Sequence, residues 1–135
     1  MVYEMELHKY SFKNTAVGKR TVDVRPYDSK YNALKIDDII IFINSANANE
    51  KLPSRVTALY RYRTFEELFF EITPQRCGFV DKITPKEAAT FTKQIYPDRK
   101  TGQNKDVLGI RFDLISFDEV DEEQKKKKQN QGQGL

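Results

Sequence analysis

The chain is poor in the residues that staple small folds or hold metals. It has one cysteine, Cys77, one histidine, His8, and no apolar run near the ~20 residues a bilayer crossing needs. One cysteine cannot close an internal disulfide, and one Cys with one His cannot assemble a zinc site of the usual Cys/His kind. A structural metal is therefore not expected. The segment from Met1 to Leu7 lacks the basic-then-apolar order of a secretory signal. The expectation is a cytoplasmic protein with no membrane partner.

A strong excess of one charge is missing too. Lys and Arg number 23 against 20 Asp and Glu, a net charge of +3. The segment from Phe117 to Leu135 holds five acids and four lysines, which leaves 19 basic and 15 acidic groups in residues 1 to 116. The balance there is mildly basic. It allows a polyanionic partner but does not argue for one unaided.

What is present is enough for one domain. The 135 residues are 39% hydrophobic and 32% charged, with a mean hydropathy of -0.69, a composition that builds a core and stays hydrated. The end of the chain, Asp118 to Lys128 followed by a Gln/Gly-rich stretch, is polar and charge-blocked. Such a segment cannot bury enough surface to offset its ordering entropy, which predicts a folded unit over 1–116 and a disordered tail over 117–135. Lys125 to Lys128 could touch phosphates, though a solvated run beside its own acids is the simpler reading.

The hydropathy pattern predicts a strand over 1–7 and a short helix over 9–17 ended by Gly18. A strand over 21–25 follows, then turns and tyrosines over 26–38. The continuous run Ile39 to Ile43 predicts a strand buried on both sides. A turn is expected over 46–50 and a long strand over 51–62. Thr64/Glu67 and Thr84/Glu87 have capping-box spacing, the second with Pro85 at the first helical position, so helices should open there. A loop over 96–106 and a last strand over 108–114 complete a small α+β barrel with helices inserted between strands.

The densest polar constellation is Gly18-Lys-Arg-Thr-Val-Asp-Val-Arg25. Alternation puts Val22 and Val24 on one face and Lys19, Thr21, Asp23 and Arg25 on the other, with Arg20 at the bend. Cations there can hold a phosphate or carboxylate, and Asp23 can orient an arginine. The plainer alternative is a solvated face with ion pairs worth ~0 to 1 kcal/mol.

This segment resembles the ASCH motif, Gly-x-Lys-x-x-Glu-x-Arg, of the PUA-like superfamily, standing here as Gly18, Arg20, Asp23 and Arg25. The likeness extends to Lys35-Ile-Asp-Asp-Ile-Ile-Ile-Phe42, where Asp37 replaces the family's usual glycine, to Arg63 to Leu68, and to the closing Leu108 to Phe112. It covers roughly residues 3 to 116. It implies a PUA-like β-barrel of about five to six strands with short helices, and a cleft beside the motif that binds RNA or a nucleotide-like ligand. No cofactor is implied, and the chain is expected to act as a monomer.

Some relatives are amidohydrolases that deacetylate N4-acetylcytidine with a lysine, a threonine and a glutamate. Their lysine falls on Arg20, their threonine on Asp23 and their glutamate near Asp81. A guanidinium stays protonated and cannot serve as a general base, and Asp23 has no hydroxyl to activate. Lys19 as base and Thr21 as nucleophile would be one residue out of place, an error that costs heavily in rate. A ligand-binding protein is the leading expectation, with a small amidohydrolase and a protein-interaction module as alternatives.

A second patch interleaves Arg55, Arg61 and Arg63 with Tyr60 and Tyr62. Strand alternation puts the arginines on one face and the tyrosines on the other. Near the strand's end Arg61 or Arg63 is expected to extend a basic cleft, with Tyr27 offering a ring for stacking. Cys77 and His8 read as structural residues, and Asp98 to Lys105 as a surface turn without phosphate-loop spacing.

Overall fold

The computed structural model describes residues 1–28, 30–96 and 106–133, and for 127–133 the backbone alone. The expected turn at 98–105 lies outside these residues. Among the described residues five strands, β1 (Val2–Leu7), β2 (Val22–Pro26), β3 (Ile39–Asn44), β4 (Asn47–Tyr62) and β5 (Val107–Leu114), form one sheet in the order β1-β3-β4-β5-β2. β1 and β3 are parallel, and the other pairs are antiparallel. Helices α1 (Lys9–Ala16), α2 (Phe65–Glu71), α3 (Pro85–Ile95) and α4 (Phe117–Gln133) complete an α+β fold, a curled half-barrel of the PUA-like kind.

The curled sheet has two apolar sides. Inside the curl, Met5, Ile40, Phe42, Val56, Ile110 and Phe112 pack beneath α1. On the outer side, Val22 and Val107 meet Phe65, Leu68 and Phe69 of α2 and Ala88 of α3. α2 can lie this close because β5 carries Gly109, where a Cβ would stand 3.3 Å from Ile72 Cδ1. β2 is therefore covered on both sides, and its Asp23 is 2% exposed instead of lying on an open face.

Both threonines cap their helices, but only the second box closes in both directions, since the Glu67 carboxylate accepts from the Arg63 amide instead of from Thr64. Thr84 and Glu87 exchange bonds at 3.1 and 3.2 Å, and Thr64 accepts from the Glu67 amide at 3.1 Å. Gly18 takes φ +82° after α1. Asp37 takes φ +76°, the left-handed region, at the position where the resembled motif has glycine. Its amide donates to the Val56 carbonyl, and Asp is among the few non-glycine residues that tolerate this conformation.

Three expectations need correction. The turn expected over 46–50 is tighter: β4 already begins at Asn47, because Asn44 Oδ1 accepts from the Ala46 amide at 2.9 Å and its Nδ2 donates to Glu50 at 3.0 Å. β4 also shifts register between Val56 and Ala58. Side-chain alternation reverses across that bulge, so Arg55 turns outward whereas Arg61 lies over Tyr27 at 4.0 Å.

The third concerns the tail, where the structure has helix α4. Val120 is buried at 4% exposure, Arg55 pairs with Glu123 and reaches Glu119 at 3.9 Å, and Ser116 caps the start by accepting from the Glu119 amide. One apolar anchor and one docked arginine supply what average composition conceals. Lys125 and Lys126 are exposed.

Candidate functional site

β1 and β2 are the two edges of the sheet, and the curl brings them toward each other without pairing. Between them, closed on the far side by α3 and the segment 77–83, lies a cleft of about 550 Å³. That is an ordinary size for a small-ligand site. Glu6 and His8 line one side and Asp23, Val24 and Arg25 another, while Phe79, Phe91 and Tyr96 supply an aromatic wall. Val80, Phe91 and Ile95 are 74%, 53% and 56% exposed, unusual for large apolar side chains grouped at one opening.

At its floor Asp23 is gripped by two arginines. Arg20 Nη2 bonds Asp23 Oδ1, and Arg25 Nε donates to Asp23 Oδ2 at 2.7 Å. Burial by itself pushes the Asp23 carboxyl up, but the charges of Arg25 and Arg20 and their hydrogen bonds outweigh it and hold the group below the usual carboxylate range. Arg25 is correspondingly held in its charged form by Asp23 against burial. Two guanidiniums against one carboxylate leave a surplus positive charge.

The two arginines are held differently. Arg20 lies in the barrel interior, 6% exposed, 5.5 Å over the Phe42 ring and 5.8 Å over Phe112, and its Nη1 donates to Thr15 Oγ1 at 3.0 Å. Thr15 in turn donates to the Ser11 carbonyl, so α1 is tied to β2 through Arg20. The backbone at Arg20 bridges to Cys77. Arg25 sits at the gap between the sheet edges, with Nη1 3.4 Å from Tyr31 Oη and Nη2 3.4 Å from the Glu6 carbonyl. Burial pushes the Cys77 thiol up to about 12 and the Tyr96 hydroxyl above its ordinary value. Neither is a nucleophile at neutral pH.

Compared by sequence, the chain matches no family model and no curated protein. Compared by fold, it is similar to the hypothetical protein PH0355, with a TM-score of 0.71 at 24% identity over 85% of this chain and 100% of that one. It is similar also to protein PF0455 from Pyrococcus furiosus, with a TM-score of 0.65 at 22% identity over 86% and 99%. The ASCH protein from Zymomonas mobilis aligns with a TM-score of 0.53 at 13% identity over 88% and 76%. The chain has an ASCH-like fold.

Within that ASCH-like frame the motif residues Arg20, Asp23 and Arg25 form one linked triad, with Gly18 turning the chain just before them. β2 begins only at Val22, so Arg20 escapes strand alternation and reaches back to Asp23. The other expected members lie elsewhere. Lys19 is exposed and does not line the cleft, and Asp81 is exposed on the turn before α3. Thr21 lies outside the lining, its backbone bonded to Arg76 and Phe112. Tyr27 is covered by Arg61, which pairs with Asp106 at 2.7 Å, so neither faces the cleft. Arg63 is exposed, with its amide on Glu67.

Sequence reasoning missed the aromatic wall. Phe91 and Ile95, four apart on α3, signal one helix face, but that pattern is equally the mark of a buried stripe. Only the packing of Ala88 and Ala89 beneath shows that this face is partly uncovered.

Proposed function

We propose that this ASCH-like protein binds RNA or a nucleotide-like ligand in the cleft between β1 and β2, without turning it over. The observation that carries this reading is the pairing of an ion triad at the floor with an aromatic wall, Phe79, Phe91 and Tyr96, on the opposite side. A nucleobase offers an apolar face and a polar edge, and such a cleft can engage both at once.

Binding without turnover is supported by the chemistry of the lining. The Asp23 carboxylate is ion-paired on both oxygens, the Cys77 thiol stays protonated, the Thr92 hydroxyl already donates to the Ala88 carbonyl, and His8, beside Glu6 in the lining, accepts from the Tyr10 amide at Nδ1. Lys19, Thr21 and Asp81, the residues a hydrolase would need here, stand outside the lining.

Calorimetric titration of the protein with short single-stranded RNA and with free nucleotides tests the reading. Phe91→Ala should weaken binding about tenfold, the loss of one base stack, while leaving the fold intact because Phe91 is half exposed. Affinity that is undetectable, or equal in wild type and variant, overturns it.

A further inference from the structure

The five N–H groups of Arg25 are unequally engaged. Nε is fixed at 2.7 Å on a buried carboxylate, whereas Nη1 and Nη2 each reach a partner only at 3.4 Å, the outer limit of a hydrogen bond. Asp23 therefore sets the plane of the guanidinium and leaves its outer edge exchangeable. Arg20 has no such freedom, being spent on Asp23 and Thr15 above two phenylalanine rings. Arg25 alone of the two stands at the gap between the sheet edges, where an incoming group could replace the Glu6 carbonyl and the Tyr31 hydroxyl.

Resting on the reading that the cleft takes a nucleotide-like ligand, we infer that it selects a base presenting two neighbouring hydrogen-bond acceptors on one edge, and that the Nη1 and Nη2 groups of Arg25 receive them. Guanine presents O6 and N7 in this way, and cytosine O2 and N3. Adenine and uracil set a donor beside each acceptor on their hydrogen-bonding edges, which would face an N–H of Arg25 with another N–H. The wall of Phe79, Phe91 and Tyr96 holds the ring while the fork reads its edge. Asp23 is the positioning residue for that fork.

The test uses the four neutral ribonucleosides, so that phosphate contributes nothing, measured by titration calorimetry on the full chain. Guanosine and cytidine should bind about tenfold more tightly than adenosine and uridine, and 7-deazaguanosine should lose the advantage of guanosine. Arg25→Lys should erase the preference, since a point-charge ammonium cannot fork across two acceptors. The preference is a ratio taken on one protein sample and so is independent of any change in folded fraction. Equal affinity for all four nucleosides, or a preference that survives in Arg25→Lys, overturns this inference while leaving nucleotide binding in place. If neither RNA nor any nucleoside binds, the binding reading itself fails and this selectivity with it.

Discussion

Gly78 lies against the aliphatic stem of Arg20, so closely that a Cβ at position 78 would stand 3.3 Å from Arg20 Cδ. Gly78 also has φ +94°, which an L side chain rarely adopts. Gly78→Ala therefore meets both backbone strain and a neighbour with little room to yield, since Arg20 is pinned by Asp23 and Thr15. A loss of about 1–2 kcal/mol in urea unfolding is expected. Unchanged stability would show that Arg20 is free to move.

Removing the charge of Asp23 should cost more. Asp23→Asn leaves Arg20 buried without a countercharge, a change of about 3–5 kcal/mol in stability. The same pair gives a pH signature. The folded carboxyl titrates below its unfolded value of about 3.9, so its contribution is complete above that pH and is lost as pH falls through the lowered folded value. The stability gap between wild type and Asp23→Asn should narrow on acidification in that window, as read by denaturant unfolding at stepped pH. A gap that widens there would reverse the assignment.

Cys77 should resist alkylation. Its thiol is pushed up to about 12 in the folded chain, against an ordinary value near 9.0. Iodoacetamide at pH 8 should label the denatured protein rapidly and the native protein far more slowly. Between about pH 9 and 12 the unfolded chain releases the proton while the folded one keeps it, so this group lowers stability as pH rises. Equal labelling rates in the two states would show the thiol to be exposed.

Helix α4 should contribute to stability through its first turns. Deleting residues 117–135 removes the buried Val120 and uncovers the site that Arg55 occupies with Glu123, an expected loss of about 2–3 kcal/mol dominated by the valine. Val120→Ala alone should reproduce roughly a third to a half of it. A melting temperature indifferent to the truncation would mean the segment does not dock.

Nucleotide binding should depend only weakly on salt. Arg20 and Arg25 are already neutralised in part by Asp23, and Lys19, Arg61 and Arg63 do not line the cleft. The slope of log affinity against log salt for single-stranded RNA should correspond to about one or two phosphate contacts, each contributing roughly -0.7. A slope several times steeper would place the binding surface on the exposed lysines and arginines instead.

Much of this was legible from residue order. The threonine caps of α2 and α3, the apolar run at Ile39 to Ile43 and the glycine after α1 mark elements whose cause is local, and the structure has them where local chemistry puts them. The motif spacing of Gly18, Arg20, Asp23 and Arg25 also marked a stretch of chain whose Arg20, Asp23 and Arg25 line the cleft. It could not say which cation faces which acid, because a long side chain at a bend does not follow strand alternation.

Sequence alone determined the order of elements from β1 to β5 and the concentration of charge around β2, since capping, hydropathy period and glycine conformation act over a few residues. Tertiary structure decided the rest. The bulge in β4 reversed the facing of Arg61, the curl of the sheet beneath α1, with Arg20 laid over Phe42 and Phe112, turned the polar face of β2 into a buried floor, and Val120 with Arg55 docked a segment whose composition reads as disordered. Each of these depends on contacts between residues far apart in the chain, whose energies exist only once the sheet has curled and brought its two edges face to face.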